Sequence, residues 1–147
     1  MSISRGFTLI ELLVVIAIIG MLSSVVLGAL NGARGKSANA AVKSTMANMR
    51  SQIQLTYDDG PYGTPNVPVC SNPIVTKFRT AAAAAGGGAA SGTANICTPG
   101  GGASQSTFVI SIELKVPESN GDRFWCFDST GAFRGHPNAI GVGFTCP

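Results

Sequence analysis

RGFTLIELLVVIAIIG, residues 5–20, decides how the chain is organised, because it sets one carboxylate, Glu11, inside an apolar run that carries no further charge before Leu30. Phe7 to Leu30 is 24 residues. A helix of that length reaches about 36 Å at about 1.5 Å per residue, enough to cross the roughly 30 Å hydrocarbon core of a bilayer. A secretory signal has a shorter apolar core, roughly 7 to 15 residues, followed by a small-x-small exit. Here the run is longer and offers no A-x-A-like exit near Gly20 or Gly28, so it reads as a segment that is kept. A carboxylate in such a segment costs free energy unless it reaches water or meets a positive partner, which makes Glu11 the residue to be explained.

The chain has 147 residues, 45% of them hydrophobic, which suits one small domain plus an extra element. From Asn31 onward there are nine Lys and Arg against six Asp and Glu, a balance that nominates no particular partner. The four cysteines, Cys70, Cys97, Cys126 and Cys146, all follow the apolar run, and none has the C-x-x-C spacing of zinc or thioredoxin-type chemistry. Their even number in a small, loop-rich region points to two disulfides and an oxidising compartment outside the cytoplasm. Flanking charge points the other way. Arg34, Lys36, Lys43 and Arg50 follow the run while only Arg5 and the amino terminus precede it, so a count of positive residues would keep the C-terminal part inside. The cysteines are given the greater weight.

Past Leu30 the pattern becomes one-sided. Ala38, Val42, Met46, Met49, Ile53 and Tyr57 recur at helical spacing, while Lys36, Lys43 and Arg50 repeat every seven residues on another face. This predicts that the apolar helix continues as an amphipathic one to about Tyr57 and stops at Asp58-Asp59-Gly60-Pro61. Apolar residues at 108, 110, 112, 114 and 116 alternate as in a strand with one buried face. Asn120-Gly121 supplies a hairpin turn, residues 123–128 a second strand, and Gly131 a turn into a third short strand at 132–134. Between helix and sheet, Asn72-Pro73 caps a short helix that Gly86 ends, and residues 86–106, rich in Gly, Ala, Ser and Thr, read as a flexible surface loop. The fold class is α+β, one long helix packed on a small antiparallel sheet. Four cysteines allow three connectivities. Pairing Cys70 with Cys97 would staple the connector, and pairing Cys126 with Cys146 would close the C-terminal tail onto its strand, worth about 3 kcal/mol for a loop of about 20 residues.

Arg5 through Gly20, with a Gly6-Phe7 junction and Glu11 five residues into the chain that starts at Phe7, closely resembles the N-terminus of type IV prepilins and of the related type II secretion pseudopilins. The resemblance implies a type IV pilin-like fold and a leader, residues 1–6, that a membrane-embedded prepilin peptidase removes by cutting after Gly6, leaving an N-methylated Phe7. It implies an apolar helix, 7–30, that waits in the inner membrane with its N-terminus cytoplasmic. An inner-membrane assembly platform then moves that helix into the core of a helical surface filament made of copies of the chain. There Glu11 would be neutralised by the Phe7 amine of a neighbouring subunit, a pairing that sets register by penalising misplaced subunits. The amphipathic continuation is 31–58, the connector 59–106, and the sheet with its C-terminal loop 107–147; a Cys126–Cys146 pair resembles the disulfide-bounded loop of many pilins. Many pilins carry a proline about where Gly28 stands. Here Gly20, Gly28 and Gly32 allow local extension of the helix without a kink.

Nothing in the chain assembles a catalytic site. The sole histidine, His136, precedes a proline and reads as an exposed loop residue without a nucleophile and an oriented base beside it. Asp58, Asp59, Asp122 and Asp128 form no calcium loop of recognisable spacing, and no cofactor motif is present. Basic residues lack the aromatic interleaving of a single-strand groove, so the sequence does not specify nucleic-acid binding by an assembled fibre. The expected function is a structural filament subunit, with a secretion pseudopilin or a scarce tip subunit acting as adhesin or DNA-uptake receptor as alternatives.

Overall fold

Helix α1 runs from Leu9 to Thr56 without interruption in the computed structural model, which describes residues 6–57, 63–64, 67–88, 96–100, 107–140 and 145–147. The helix passes through Gly20, Gly28 and Gly32 with no local extension. Each glycine weakens a helix by about 1 kcal/mol relative to alanine but, unlike proline, keeps its N–H, so the hydrogen-bond ladder closes across it. The chain divides into two compact units, Met1–Arg34 and Gly35–Pro147.

The first unit holds the apolar part of α1. Every large apolar side chain from Phe7 to Leu30 is exposed there, between 40% at Leu30 and 82% at Leu9.

In the second unit α1 buries Gly35, Asn39, Val42, Met46, Met49 and Ile53. That spacing of four and three residues is a single stripe. It starts at Gly35 and Asn39 rather than at Ala38, which is only half-buried. Gly35 lies so close to Val116 that an added Cβ would overlap its side chain. The Asn39 amide then grips the Val116 backbone, Nδ2 donating to its carbonyl at 2.8 Å and Oδ1 accepting from its N–H at 3.3 Å. The basic face is engaged as well. Lys43 Nζ lies 2.5 Å from Glu118 Oε1 and 4.1 Å from the centre of the Trp125 ring, and Arg50 sits 5.7 Å over Phe133.

Four antiparallel strands, β3 (Ile96–Pro99), β4 (Phe108–Glu113), β5 (Phe124–Asp128) and β6 (Phe133–His136), pair in chain order. A minimal ladder of β1 (Gly63–Thr64) and β2 (Val67–Pro68) precedes a 3-10 turn, Val69–Ser71, and helix α2, Pro73–Gly86. Pairing puts Phe108, Ile110, Ile112 and Phe127 on the face that packs with α1 and α2, where Phe108 and Phe127 meet edge to face at 5.5 Å. The opposite face carries Val109, Ser111, Cys126, Asp128, Arg134 and His136, and Ile140 and Cys146 of the C-terminal tail close over its apolar part.

This second cover revises several expectations. β4 is buried on both faces rather than one and ends at Glu113; beyond it the Leu114 N–H still donates to the Arg123 carbonyl at 2.8 Å, and Asn39 takes up the Val116 backbone. β5 begins at Phe124, after the turn in which Gly121 adopts φ +90°, a conformation that favours glycine. β6 starts one residue later than expected and runs two residues further, to His136. The 86–106 segment is not wholly loop: residues 96–99 form edge strand β3, held to the 3-10 turn by a Cys70–Cys97 disulfide. Helix α2 keeps Gly86 as its last residue, tucked against the Glu113 carbonyl, and the left-handed cap is Gly87 at φ +86°. The Asp58–Pro61 stop and leader residues 1–5 lie outside the described residues.

Candidate functional site

The apolar segment of α1 starts from a capping box that the sequence reading passed over. Thr8 closes the first turn, its carbonyl accepting from Leu12 N–H at 3.4 Å. The Thr8 hydroxyl accepts from Glu11 N–H at 3.3 Å, and Glu11 Oε2 in return accepts from the Thr8 N–H at 2.9 Å and the Thr8 hydroxyl at 2.7 Å. The signal was in the letters, since threonine followed three residues later by glutamate, ahead of an apolar run, marks a helix start. One carboxylate thereby satisfies two donors at the end of α1, where the helix dipole favours negative charge.

Glu11 therefore has an intrachain partner that does not depend on a neighbour. Only Oε2 is used, and Oε1 has no hydrogen bond among the described residues. Gly6 and Phe7 precede the helix and are exposed, with open space where a Gly6 Cβ would stand. Further along, Ser24 donates its hydroxyl to the Met21 carbonyl at 2.8 Å, so its one polar hydrogen is satisfied within the helix. The result is a helix long and apolar enough to cross a membrane, whose large apolar side chains as far as Leu30 have no cover in the single chain.

In the second unit, Cys126 of β5 is bonded to Cys146. His136 is not an exposed loop residue: it ends β6, is 3% exposed, stacks on Phe124 at 5.4 Å and lies 3.3 Å from the Ser111 hydroxyl. The two added residues of β6 carry it under the tail. Burial pushes its imidazole below the ordinary histidine range. Ser111 is itself buried, so this pair presents no nucleophile to a substrate. Burial alone would raise the Asp128 carboxyl, but hydrogen bonds from Thr130, Cys146 and Ala132 outweigh it and hold the group below its usual range. Among the described residues no three His, Cys, Asp or Glu side chains converge on a point where a metal ion would sit.

The family described as the prokaryotic N-terminal methylation motif matches residues 1–27. The chain is similar to the type IV major fimbrial protein FimA of Dichelobacter nodosus, 36% identical over 84 residues that cover 54% of this chain and 52% of the relative. A second FimA of that organism is 37% identical over 62 residues, 42% of this chain and 40% of the relative. The chain spans about half the length of the curated relatives it matches. No solved structure matches it.

Proposed function

We propose that this chain, which carries the N-terminal methylation motif of type IV pilins ahead of an α+β fold of their kind, is a structural subunit that polymerises through its N-terminal helix into a pilus-like surface filament. One observation carries the reading: a helix whose large apolar side chains from Phe7 to Leu30 are all uncovered begins at that motif. Such a surface needs lipid or other helices around it. Burying even half of it against neighbouring copies contributes tens of kcal/mol in gross area terms, before ordering costs.

The steps before assembly follow the same logic. A prepilin peptidase cuts between Gly6 and Phe7 at the cytoplasmic face, and Phe7 is methylated. The processed subunit rests in the inner membrane, with the second unit outside the cytoplasm where its disulfides persist. There Glu11 keeps its capping contacts close to the interface. In the filament core Oε1 accepts from the Phe7 amine of a neighbour, so assembly adds a partner without breaking the cap.

Mass spectrometry of the mature protein tests the processing step, and electron microscopy of sheared cells tests assembly. The expected results are a chain starting at methylated Phe7 and long fibres made mainly of it. A chain that keeps residues 1–6 and stays a solitary membrane species overturns the proposal. Short periplasmic assemblies alone would favour a secretion pseudopilin, and scarcity in otherwise normal fibres a tip subunit.

A further inference from the structure

The C-terminal tail is held at Cys146 by more than sulfur. Asp128 Oδ2 accepts from the Cys146 N–H at 2.6 Å, and Arg134 Nη2 donates to the Cys146 carbonyl at 2.9 Å. Both backbone groups of the residue that carries the thiol are thus taken by charged side chains. Cys126, Asp128 and Arg134 share one face of the sheet: Asp128 is two residues along β5 from Cys126, and Arg134 pairs with Cys126 across β5 and β6.

Half of the grip is anchored by residues outside the tail. The other Asp128 oxygen, Oδ1, accepts from the Thr130 N–H at 2.8 Å, the Thr130 hydroxyl at 2.6 Å and the Ala132 N–H at 3.3 Å, all in the turn between β5 and β6. Those three bonds fix the carboxylate and aim Oδ2 at the tail, and Arg134 is placed by strand pairing. Such preorganised charged contacts are about twice as strong as neutral ones. The sheet also separates the competing thiols. Cys97 pairs in register with Ile110, whose side chain is in the helix-side core, whereas Cys126 pairs with Ser111 on the other face.

We propose that Asp128 and Arg134 are positioning residues that seat the tail on the sheet before oxidation, so that Cys146 rather than Cys70 or Cys97 becomes the partner of Cys126. The oxidation is an exchange with a disulfide-bearing oxidant, here glutathione disulfide. The Cys126 thiolate attacks it to give a mixed disulfide and one glutathione thiolate. The Cys146 thiolate then attacks the Cys126 sulfur and displaces the second glutathione thiolate. Two protein thiols lose two protons and two electrons, one protein S–S bond forms, and glutathione disulfide is reduced to two thiols.

The test is oxidative refolding of the full chain in a glutathione buffer, with connectivity mapped by mass spectrometry and the Cys126–Cys146 equilibrium read as a function of glutathione ratio. Arg134→Gln removes a tail contact but none of the turn bonds, so it serves where Asp128→Asn fails to fold. Each substitution is expected to lower the equilibrium constant for the Cys126–Cys146 bond about tenfold and to raise species in which Cys126 or Cys146 is joined to Cys70 or Cys97, with the Cys70–Cys97 bond falling in the same proportion. A second arm dispenses with sulfur. In a Cys126→Ser, Cys146→Ser chain, hydrogen exchange at the residue 146 amide is expected to stay slowed, and to speed up by about tenfold when Asp128→Asn is added. Unchanged equilibrium and connectivity in Arg134→Gln, or an amide at 146 that exchanges equally fast with and without Asp128, overturns the proposal.

Discussion

Replacing Glu11 by glutamine separates two roles that the geometry superimposes on one side chain. In the single chain Glu11 caps α1 through bonds of 2.9 and 2.7 Å from Thr8. A glutamine carbonyl oxygen can accept both, since glutamine serves at this position of a capping box. The helix start should therefore lose at most a few tenths of a kcal/mol. Glu11→Ala or Thr8→Val breaks the box itself, at a cost of about 1 kcal/mol. If the carboxylate also neutralises a neighbour's Phe7 amine in a water-poor filament core, the order of severity reverses. Glutamine would leave that ammonium buried and unpaired, at about 3–5 kcal/mol per subunit. At 1.4 kcal/mol per tenfold, this raises the subunit level needed for assembly by roughly a hundred- to a thousand-fold or more. The assay titrates expression of each variant and measures the fraction recovered in sheared filaments, with membrane insertion as the control. The expected ranking is wild type, then Thr8→Val about fivefold impaired, then both Glu11 variants with few or no fibres. Should Glu11→Gln assemble like wild type while Glu11→Ala and Thr8→Val fail together, Glu11 is a helix cap and nothing more.

Other perturbations address the second unit. Gly86→Ala would drive a methyl into the Glu113 carbonyl and push α2 off β4, so a loss of about 1–3 kcal/mol is expected in the urea midpoint. Asn39→Ala strips the partners from both Val116 backbone groups and should cost about 2–3 kcal/mol, measured in the same way. Asn39→Asp, which keeps the acceptor but sets a carboxylate against the Val116 carbonyl, should be worse than alanine at neutral pH and recover in acid. His136 predicts a pH dependence. Its folded-state pKa is depressed, so the unfolded chain takes up the proton first, and stability falls as pH drops below about 6.5 towards the depressed value. His136→Gln should flatten the unfolding midpoint between pH 7 and pH 5. Asp128, also depressed, adds its own loss only below about pH 4, so the two steps separate in a pH series.

Local pattern made the helices legible. The apolar run, the 3.6-residue stripe, Asn72-Pro73 before α2 and the glycines after it are signals between residues a few positions apart, and the boundaries found lie within a residue or two of those read. The alternation at 108–116 announced β4 and Asn120-Gly121 its hairpin for the same reason. The Thr8–Glu11 box is equally local, a signal between residues three apart at the start of the apolar run.

What the letters did not contain is which surfaces meet. Strand β3 is four residues, Ile96–Pro99, in a stretch whose composition reads as loop; it exists because β4 offers an unpaired edge and Cys70 a tether. His136 becomes buried and Ser111 shielded because the tail folds over the second face of the sheet, a contact between residues 20 apart at Cys126 and Cys146. Sequence alone was enough to read a lipid-length helix at the N-terminal methylation motif, since length, hydropathy and capping are properties of contiguous residues. Tertiary structure decided that the sheet is covered on both sides and that Asp128 and Arg134 grip Cys146. Burial and long-range hydrogen bonding depend on distances that no window of sequence records.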